Sequence, residues 1–276
     1  GNRVTVLHSG TGSGTDIDNI NAMALNSLGT KAYILELGTD ALIEVDVVSG
    51  ARTVISDAST GSGTAFAQAQ NLVLNAAENK AWVIDSNVDT LFEVDLSNGN
   101  RSVISDGSTG SGTAFLLPFD LVVNAAETKA YVADRGLSII FEVDLATGNR
   151  TVVSQTAGGT VGTGPAFGTI QHLVMNAAET TLYVNDPGVD TIFAVDISTG
   201  NRTVVADSST GSGTVLTSLA GIDLSADETK LYVGDSVKDG VYEVEIATGN
   251  RTLLSDSSTG SGQSLNISKA LKRNDA

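Results

Sequence analysis

Short apolar runs separated by turn residues fill the chain, and the stretch from Ala69 to Asp106 shows the pattern most clearly. It holds four runs of about five to eight residues. The runs are 71–75, 80–85, 89–96 and 101–106. The third run alternates apolar and polar side chains, and Asn98-Gly99 after it tolerates the positive φ of a tight turn. Four such runs predict an antiparallel meander of four strands.

This stretch is repeated along the whole chain. An arginine that follows Gly-Asn or Gly-Ala recurs at intervals of about 50 residues, which indicates a repeat architecture. The arginines are Arg3, Arg52, Arg101, Arg150, Arg202 and Arg251. A repeated four-stranded unit of this length is typical of a β-propeller blade, because such a sheet buries its two apolar faces only against neighbouring sheets. An open β-solenoid is the less favoured alternative, since its repeats are usually shorter.

The count of repeats leaves two hypotheses open. The repeats span 9–57, 58–106, 107–154, 155–207 and 208–256, with terminal pieces 1–8 and 257–276. The N-terminal piece supplies a further fourth strand, and the C-terminal tail can supply a first strand for a sixth blade. Nothing supplies the second and third strands of that blade. We therefore predict an all-β chain, a single β-propeller domain over 1–276, with five complete blades plus a partial sixth formed from both termini. A five-bladed closed ring is the alternative.

Composition limits the classes of partner. The 32 acidic residues against 15 basic ones give a formal net charge of −17, which repels nucleic acid and attracts cations. The chain has no cysteine for disulfides or thiolate metal ligands. No apolar run reaches the roughly 18 residues that cross a bilayer, so we expect no membrane insertion. Many Asp, Ser, Thr and Gly residues suggest a secreted, periplasmic or cell-surface bacterial protein, with no signal peptide in this chain.

Strand direction predicts which side chains share one face. In an antiparallel meander, the end of the second strand and the start of the first strand lie at the same edge of the sheet. The residues that we place on this ligand or channel face are Asn71, Asp120, His172, Asp85, Asp134, Asp186, Asp235 and Glu36. The residue at the start of the first strand differs between repeats. It is Asn71, Asp120 and His172 in the second to fourth repeats, and Ala22 and Gly221 in the first and fifth. Positions where copies differ are where a repeat protein can place function.

Each of these groups also has a structural interpretation. The second-strand acids can accept backbone hydrogen bonds from the loop to the third strand. His172 can be part of a channel wall, and the recurring aromatics, such as Trp82 and Phe92, can pack between blades. A carbohydrate-binding face would need exposed aromatics, and the candidates are Phe66, Phe115, Phe119 and Phe167.

Three motifs carry a resemblance to a known group of proteins. They are Leu-Tyr-Val-x-Asp (182–186 and 231–235), Phe-x-Val-Asp-x-x-Thr-Gly (141–148 and 193–200) and Gly-Thr-Gly-Pro (162–165). The repeat resembles the NHL and SMP-30/gluconolactonase group of β-propellers, with some likeness to YVTN-type repeats. Hydrolases of that group bind a divalent metal in the axial channel through Glu, Asn and Asp. The resemblance implies a calcium site at Asn71, Asp120 and Asp186, with His172 as a candidate catalytic base.

Two functions follow from these observations. The first is a non-enzymatic extracellular binding or scaffold propeller that recognises a small molecule, a glycan or a protein partner on the loop face around the axial channel. The second is a calcium-dependent hydrolase or lactonase acting on a small ester or lactone. Near-identical repeats with short loops favour the first, because they leave little room for a specialised active site.

Overall fold

The structure is a computed structural model that describes residues 12–261. In this range the chain forms strands and turns and no helix, and therefore no helix that could cross a membrane. Every strand belongs to one of five four-stranded antiparallel sheets, in which neighbours along the chain are neighbours in the sheet. The predicted β-propeller fold is confirmed, with five complete blades in the described residues.

The strand bounds follow the sequence pattern. The first blade is β1 (Ile20–Leu25), β2 (Lys31–Glu36), β3 (Ala41–Asp46) and β4 (Arg52–Ser56). The second is β5 (Ala69–Leu74), β6 (Lys80–Asp85), β7 (Thr90–Asp95) and β8 (Arg101–Ser105). The third is β9 (Pro118–Val123), β10 (Lys129–Asp134), β11 (Ile139–Asp144) and β12 (Arg150–Gln155). The fourth is β13 (Leu173–Met175), β14 (Thr181–Asp186), β15 (Thr191–Asp196) and β16 (Arg202–Ala206). The fifth is β17 (Leu219–Leu224), β18 (Lys230–Asp235), β19 (Gly240–Glu245) and β20 (Arg251–Ser255).

The five complete blades match the predicted repeats. The partial sixth blade was predicted from 1–8 and 257–276, which lie outside the described residues except for 257–261. That part of the prediction stays a prediction.

In the second blade, the turn between the first and second strands is fixed by one asparagine and one glutamate. The Asn75 carboxamide oxygen accepts the backbone N–H groups of Asn79 (3.0 Å) and Lys80 (2.9 Å). Glu78 has φ of 53°, in the left-handed region that a side chain rarely adopts. Its carboxylate accepts the N–H of Ser27 in the preceding blade, 2.5 Å away. Glu127 repeats this contact on Ala76 at 2.6 Å, so the turn also connects neighbouring blades.

The described chain divides into two compact units. The first comprises 12–132 and 142–151, and the second comprises 133–141 and 152–261. In the first unit, the second-strand aromatics Tyr33 and Trp82 are 4% exposed. Phe92 is fully buried and packs edge-on against Phe66, with ring centroids 5.6 Å apart. Tyr33 of the first blade and Phe92 of the second share one hydrophobic cluster, so the predicted packing of aromatics between blades is confirmed here.

The second unit has the same kind of core between its fourth and fifth blades. Phe193 meets Phe167 edge-on at 5.4 Å within the fourth repeat. Towards the fifth blade, Ile192 and Val205 pack with Leu219 and Tyr242. Leu216 therefore stands in this cluster where Phe66 stands in the second repeat, and Tyr242 stands in the place of Phe92.

Candidate functional site

The recurring arginine ties the linker to two successive outer strands. Arg101 starts β8, is 6% exposed, and its Nε donates to the Thr64 carbonyl at 2.7 Å. Its Nη1 donates to Ser56 Oγ and to the carbonyls of Asp57 (2.9 Å) and Thr60 (3.2 Å). Burial lowers the pKa of Arg101, against the charge of Asp57. The buried cation therefore holds the rim of the blade together.

The arginine also stacks on the linker phenylalanine. The Arg101 guanidinium carbon lies 5.4 Å from the centre of the Phe66 ring. The same arrangement recurs at Arg150 on Phe115 (5.2 Å) and at Arg202 on Phe167 (5.2 Å). These three phenylalanines are at most 8% exposed. They were candidates for stacking on a carbohydrate, and their burial makes that interpretation wrong; Phe119 is half-buried.

The acids at the ends of second strands accept backbone hydrogen bonds. Asp85 is fully buried, and its Oδ2 accepts the N–H groups of Ala67 (2.8 Å) and Gln68 (2.9 Å) in the linker. Its Oδ1 accepts Asn87 at 2.9 Å and Val88 at 3.3 Å in the loop to β7. One carboxylate thus joins both loops at this edge of the blade.

The other acids at this position have the same role. Glu36 accepts the N–H groups of Asn19 (3.1 Å) and Thr39 (2.7 Å). Burial opposes ionisation of Glu36, but hydrogen bonds from Thr39, Gly38 and Asn19 hold its pKa below the usual value.

Asp186 and Asp235 do the same in the second unit. Asp186 accepts Gly168, Thr169 and Gly188 at 2.6, 2.7 and 2.9 Å, and its burial raises the pKa against these bonds. Asp235 accepts Thr217, Val237 and Lys238 at 2.9 to 3.0 Å. Asp134 accepts Leu137 at 2.9 Å.

The first-strand positions bring one predicted pair together. The Asn71 amide donates to Asp120 Oδ1, between equivalent positions of the second and third blades. Each side-chain oxygen also accepts the next backbone N–H, of Leu72 at 2.7 Å and of Leu121 at 2.8 Å. Both side chains are at most 5% exposed. The pair therefore bridges two inner strands.

His172 is half-buried, and its backbone exchanges two hydrogen bonds with Asn185. Asn185 is fully buried, and its Nδ2 donates to the Ala220 carbonyl of the next blade at 2.5 Å. Asn185 lies inside the Leu-Tyr-Val-x-Asp motif and was not among the predicted residues. The sequence signal that could have found it is the change from apolar Ile84 in the second repeat to polar Asn185 at the equivalent position of the fourth.

Oxygen ligands for a metal are already engaged at the predicted calcium site. The Asp186 oxygens accept backbone N–H groups, and Asn71 points its amide at Asp120. Within residues 12–261, no group of three or more His, Asp or Glu side chains gathers as a metal site. These residues do not fit a calcium ion, which needs six to eight oxygens. The calcium site and the hydrolase activity stay predictions.

One exposed dipeptide departs from the other repeats. Leu116 and Leu117 are 47% and 46% exposed, where the second repeat has Ala67 and Gln68. Leu117 has φ of 61°, and its N–H donates to Asp89 Oδ1 at 2.7 Å. A leucine before proline rarely adopts this conformation. Sequence reasoning missed this site. The available signal was the pair of leucines before Pro118, at positions where the second repeat has Ala67 and Gln68.

Comparisons with known proteins identify the fold. No family model and no curated protein sequence matches the chain. A solved nidogen/laminin complex contains a chain that is similar over 84% of this chain and 78% of its own, with 16% identity and a TM-score of 0.65. A Bacteroides thetaiotaomicron protein of unknown function matches over 97% and 67%, with 14% identity and a TM-score of 0.71. An auxiliary nutrient binding protein from the same organism matches over 89% and 60%, with 11% identity and a TM-score of 0.64. At these identities the likeness shows the β-propeller fold alone.

Proposed function

We propose that this chain is a non-enzymatic binding module whose Leu116–Leu117 dipeptide anchors a protein partner with a basic, partly apolar surface. The observation that carries the proposal is the exposure of two adjacent leucines on a backbone held by Asp89. Strained backbone that is kept by specific contacts is typical of binding segments.

Charge and the use of the acids support the same conclusion. The formal net charge of −17 favours association with a cationic partner. The acids that could have served catalysis, such as Asp85 and Asp186, stabilise loops instead. The solved structures of similar fold include a nidogen/laminin complex. They also include an auxiliary nutrient binding protein. Proteins that bind partners or nutrients therefore occur among the chains with this fold.

The test is a selection from a random peptide library displayed on phage, with the biotinylated chain as bait. We expect enriched peptides to combine Lys or Arg with apolar residues and to bind the L116S/L117N variant at least tenfold more weakly. Asn accepts positive φ, so the backbone at 117 is retained. The matched control is L28S/V48S, which removes two other exposed apolar side chains, 75% and 89% exposed, from turns.

Equal binding to wild type and L116S/L117N would overturn the proposal, and so would equal loss in L28S/V48S. The calcium hypothesis has a separate test, because a ligand that binds only the folded state raises the unfolding temperature. A calcium-dependent rise that EDTA reverses and that Asp120→Ala abolishes would support it, and no shift would reject it.

A further inference from the structure

A small cleft lies in the second unit, where the fourth and fifth blades meet. Its volume is about 10 Å³, roughly the space that one water molecule needs. The residues that line it include Asp190, Ile192, Ala206, Leu216, Leu219 and Arg251. It is therefore a mixed site, with aliphatic walls, the carboxylates of Asp190 and Asp207, and the guanidinium of Arg251.

Two side-chain differences account for the cleft. In the second blade, Arg101 donates to Ser56 and stacks on Phe66. At the corresponding positions around Arg251 the chain has Ala206 and Leu216. Arg251 therefore has no counterpart of the Ser56 hydroxyl that accepts a hydrogen bond from Arg101. It also has no counterpart of the Phe66 ring on which Arg101 stacks. The fifth blade consequently keeps the arginine and loses two of the groups that surround it elsewhere.

Two polar atoms at the cleft are buried without a partner. Within residues 12–261, neither Arg251 Nε nor Asp190 Oδ1 has a hydrogen-bond partner. Arg251 is 7% exposed, and its Nη1 donates to the Asp207 and Thr210 carbonyls at 2.7 and 3.0 Å. Buried polar atoms are almost always satisfied. A group that offers one donor and one acceptor would satisfy both atoms.

The equivalent atoms in the second repeat are both paired within the protein. Arg101 Nε donates to the Thr64 carbonyl, and Asp89 Oδ1 accepts the N–H of Leu117. In the third repeat Ser138 stands in the place of Asp190 and donates to the Gly168 carbonyl at 2.6 Å. Backbone groups thus pair with both Arg101 Nε and Asp89 Oδ1. At the cleft, the equivalent atoms, Arg251 Nε and Asp190 Oδ1, have no such partner within residues 12–261.

We propose that this cleft binds a hydroxyl group of a small neutral polyol. A hydroxyl donates its proton to Asp190 Oδ1 and accepts one from Arg251 Nε, which is the combination that the two atoms require. Asp207 Oδ1 already accepts the N–H groups of Ser209 and Thr210. An anion would meet Asp190, and a cation would meet Arg251, so a neutral hydroxyl suits the two unpaired atoms best. The aliphatic Ile192 and Leu219 suit the carbon atoms that carry the hydroxyl. This site is independent of the Leu116–Leu117 anchor.

The experiment follows the Arg251 Nε–Hε signal by ¹⁵N NMR during titration with ethylene glycol and, separately, with D-glucose. We expect a saturable shift, with half-saturation on the order of 1–10 mM for a ligand of this size. Sodium acetate and ethylammonium chloride, at matched ionic strength, should give no saturable shift.

The matched control is A206S/L216F, which installs the serine and phenylalanine of the other repeats and should weaken binding at least tenfold. Asp190→Ser, which copies Ser138, should weaken it similarly and keeps the test available should the double variant fail to fold. Unsaturable shifts with both polyols, or equal affinity in the folded variants, would overturn the proposal. Slow exchange of Arg251 Hε that neither polyol alters would show a water site only and would also overturn it.

Discussion

The second and fifth blades have the same four strands and the same rim arginine, yet they surround that arginine differently. Arg101 has a serine hydroxyl, linker carbonyls and an aromatic ring around it, whereas Arg251 keeps two carbonyl contacts through Nη1. The backbone course is therefore set by the repeat, while the strength of each junction is set by a few side chains at its rim. A repeated arginine does not guarantee a repeated contribution to stability.

Removing each arginine should expose the difference most strongly. We expect Arg101→Ala to lower the free energy of unfolding by about 3 kcal/mol, because it breaks several charge-assisted hydrogen bonds and a cation–π contact. Arg251→Ala should lower it by about 1–2 kcal/mol, since fewer bonds are lost. Urea unfolding followed by far-ultraviolet circular dichroism measures both. Equal losses would contradict the comparison.

Exchanging the surroundings should interconvert the two junctions. S56A/F66L gives the second blade the side chains of the fifth, and we expect a loss of about 2–3 kcal/mol from one hydrogen bond and one ring. The reverse change, A206S/L216F, should gain about 1 kcal/mol by filling the cleft. Unfolding midpoints of both variants are the readout. A destabilised A206S/L216F would show that the fifth junction cannot accept the arrangement of the second.

The two blades also differ in the turn between first and second strands. Asn75 fixes this turn in the second blade, whereas Ser225 and Asp227 share the work in the fifth. Hydrogen bonds from Ser225 and Thr229 lower the pKa of Asp227 from 3.8 to about 2. A folded-state pKa below the unfolded value stabilises the fold above pH 3.8, and this contribution is lost as the pH falls towards 2.

Acid should therefore loosen the fifth turn first. We expect hydrogen-exchange protection of the Thr229 and Lys230 amides to fall between about pH 4 and pH 2. Protection of the Asn79 and Lys80 amides, which bond to a carboxamide, should change much less. Amide exchange measured relative to intrinsic rates checks this, with Asp227→Asn as the control that removes the pH dependence. Parallel loss at both turns would contradict it.

The smallest effect is expected where the two blades agree. Lys80–Glu93 and Lys230–Glu243 are both 2.9 Å ion pairs with lysine side chains 45% and 41% exposed. Replacing either lysine by alanine should cost less than about 0.5 kcal/mol, and high salt should remove the effect. Unfolding midpoints at low and high sodium chloride test this. A larger loss in one blade would show a difference that the geometry does not explain.

Sequence reasoning reached the blades because their strands repeat with regular turns. It also placed Asp85 at the correct edge and named backbone hydrogen bonds as one of its roles. The linker donors Ala67 and Gln68 were not foreseen, because they are distant in sequence and meet Asp85 only in the folded blade. Likewise, Asn71 and Asp120 shared a predicted face, while their direct contact depends on two neighbouring blades.

The unpredicted features depend on contacts between distant residues. The cleft arises from Ala206, Leu216 and Arg251 together, and each of these residues alone is ordinary in its strand or linker. The exposed leucines are a similar case, since left-handed backbone at Leu117 is held by Asp89 from another blade. Local propensity argues against that conformation, so only tertiary structure could reveal it.

The glutamate in the strand-connecting turns of the second and third blades has an evolutionary consequence. Glu78 binds the repeat before its own, as does Glu127, so the interaction has a direction along the gene. A duplicated repeat would arrive with the glutamate that binds its predecessor and with the backbone N–H that its successor binds. Copy number can then change by unequal recombination without the invention of a new interface.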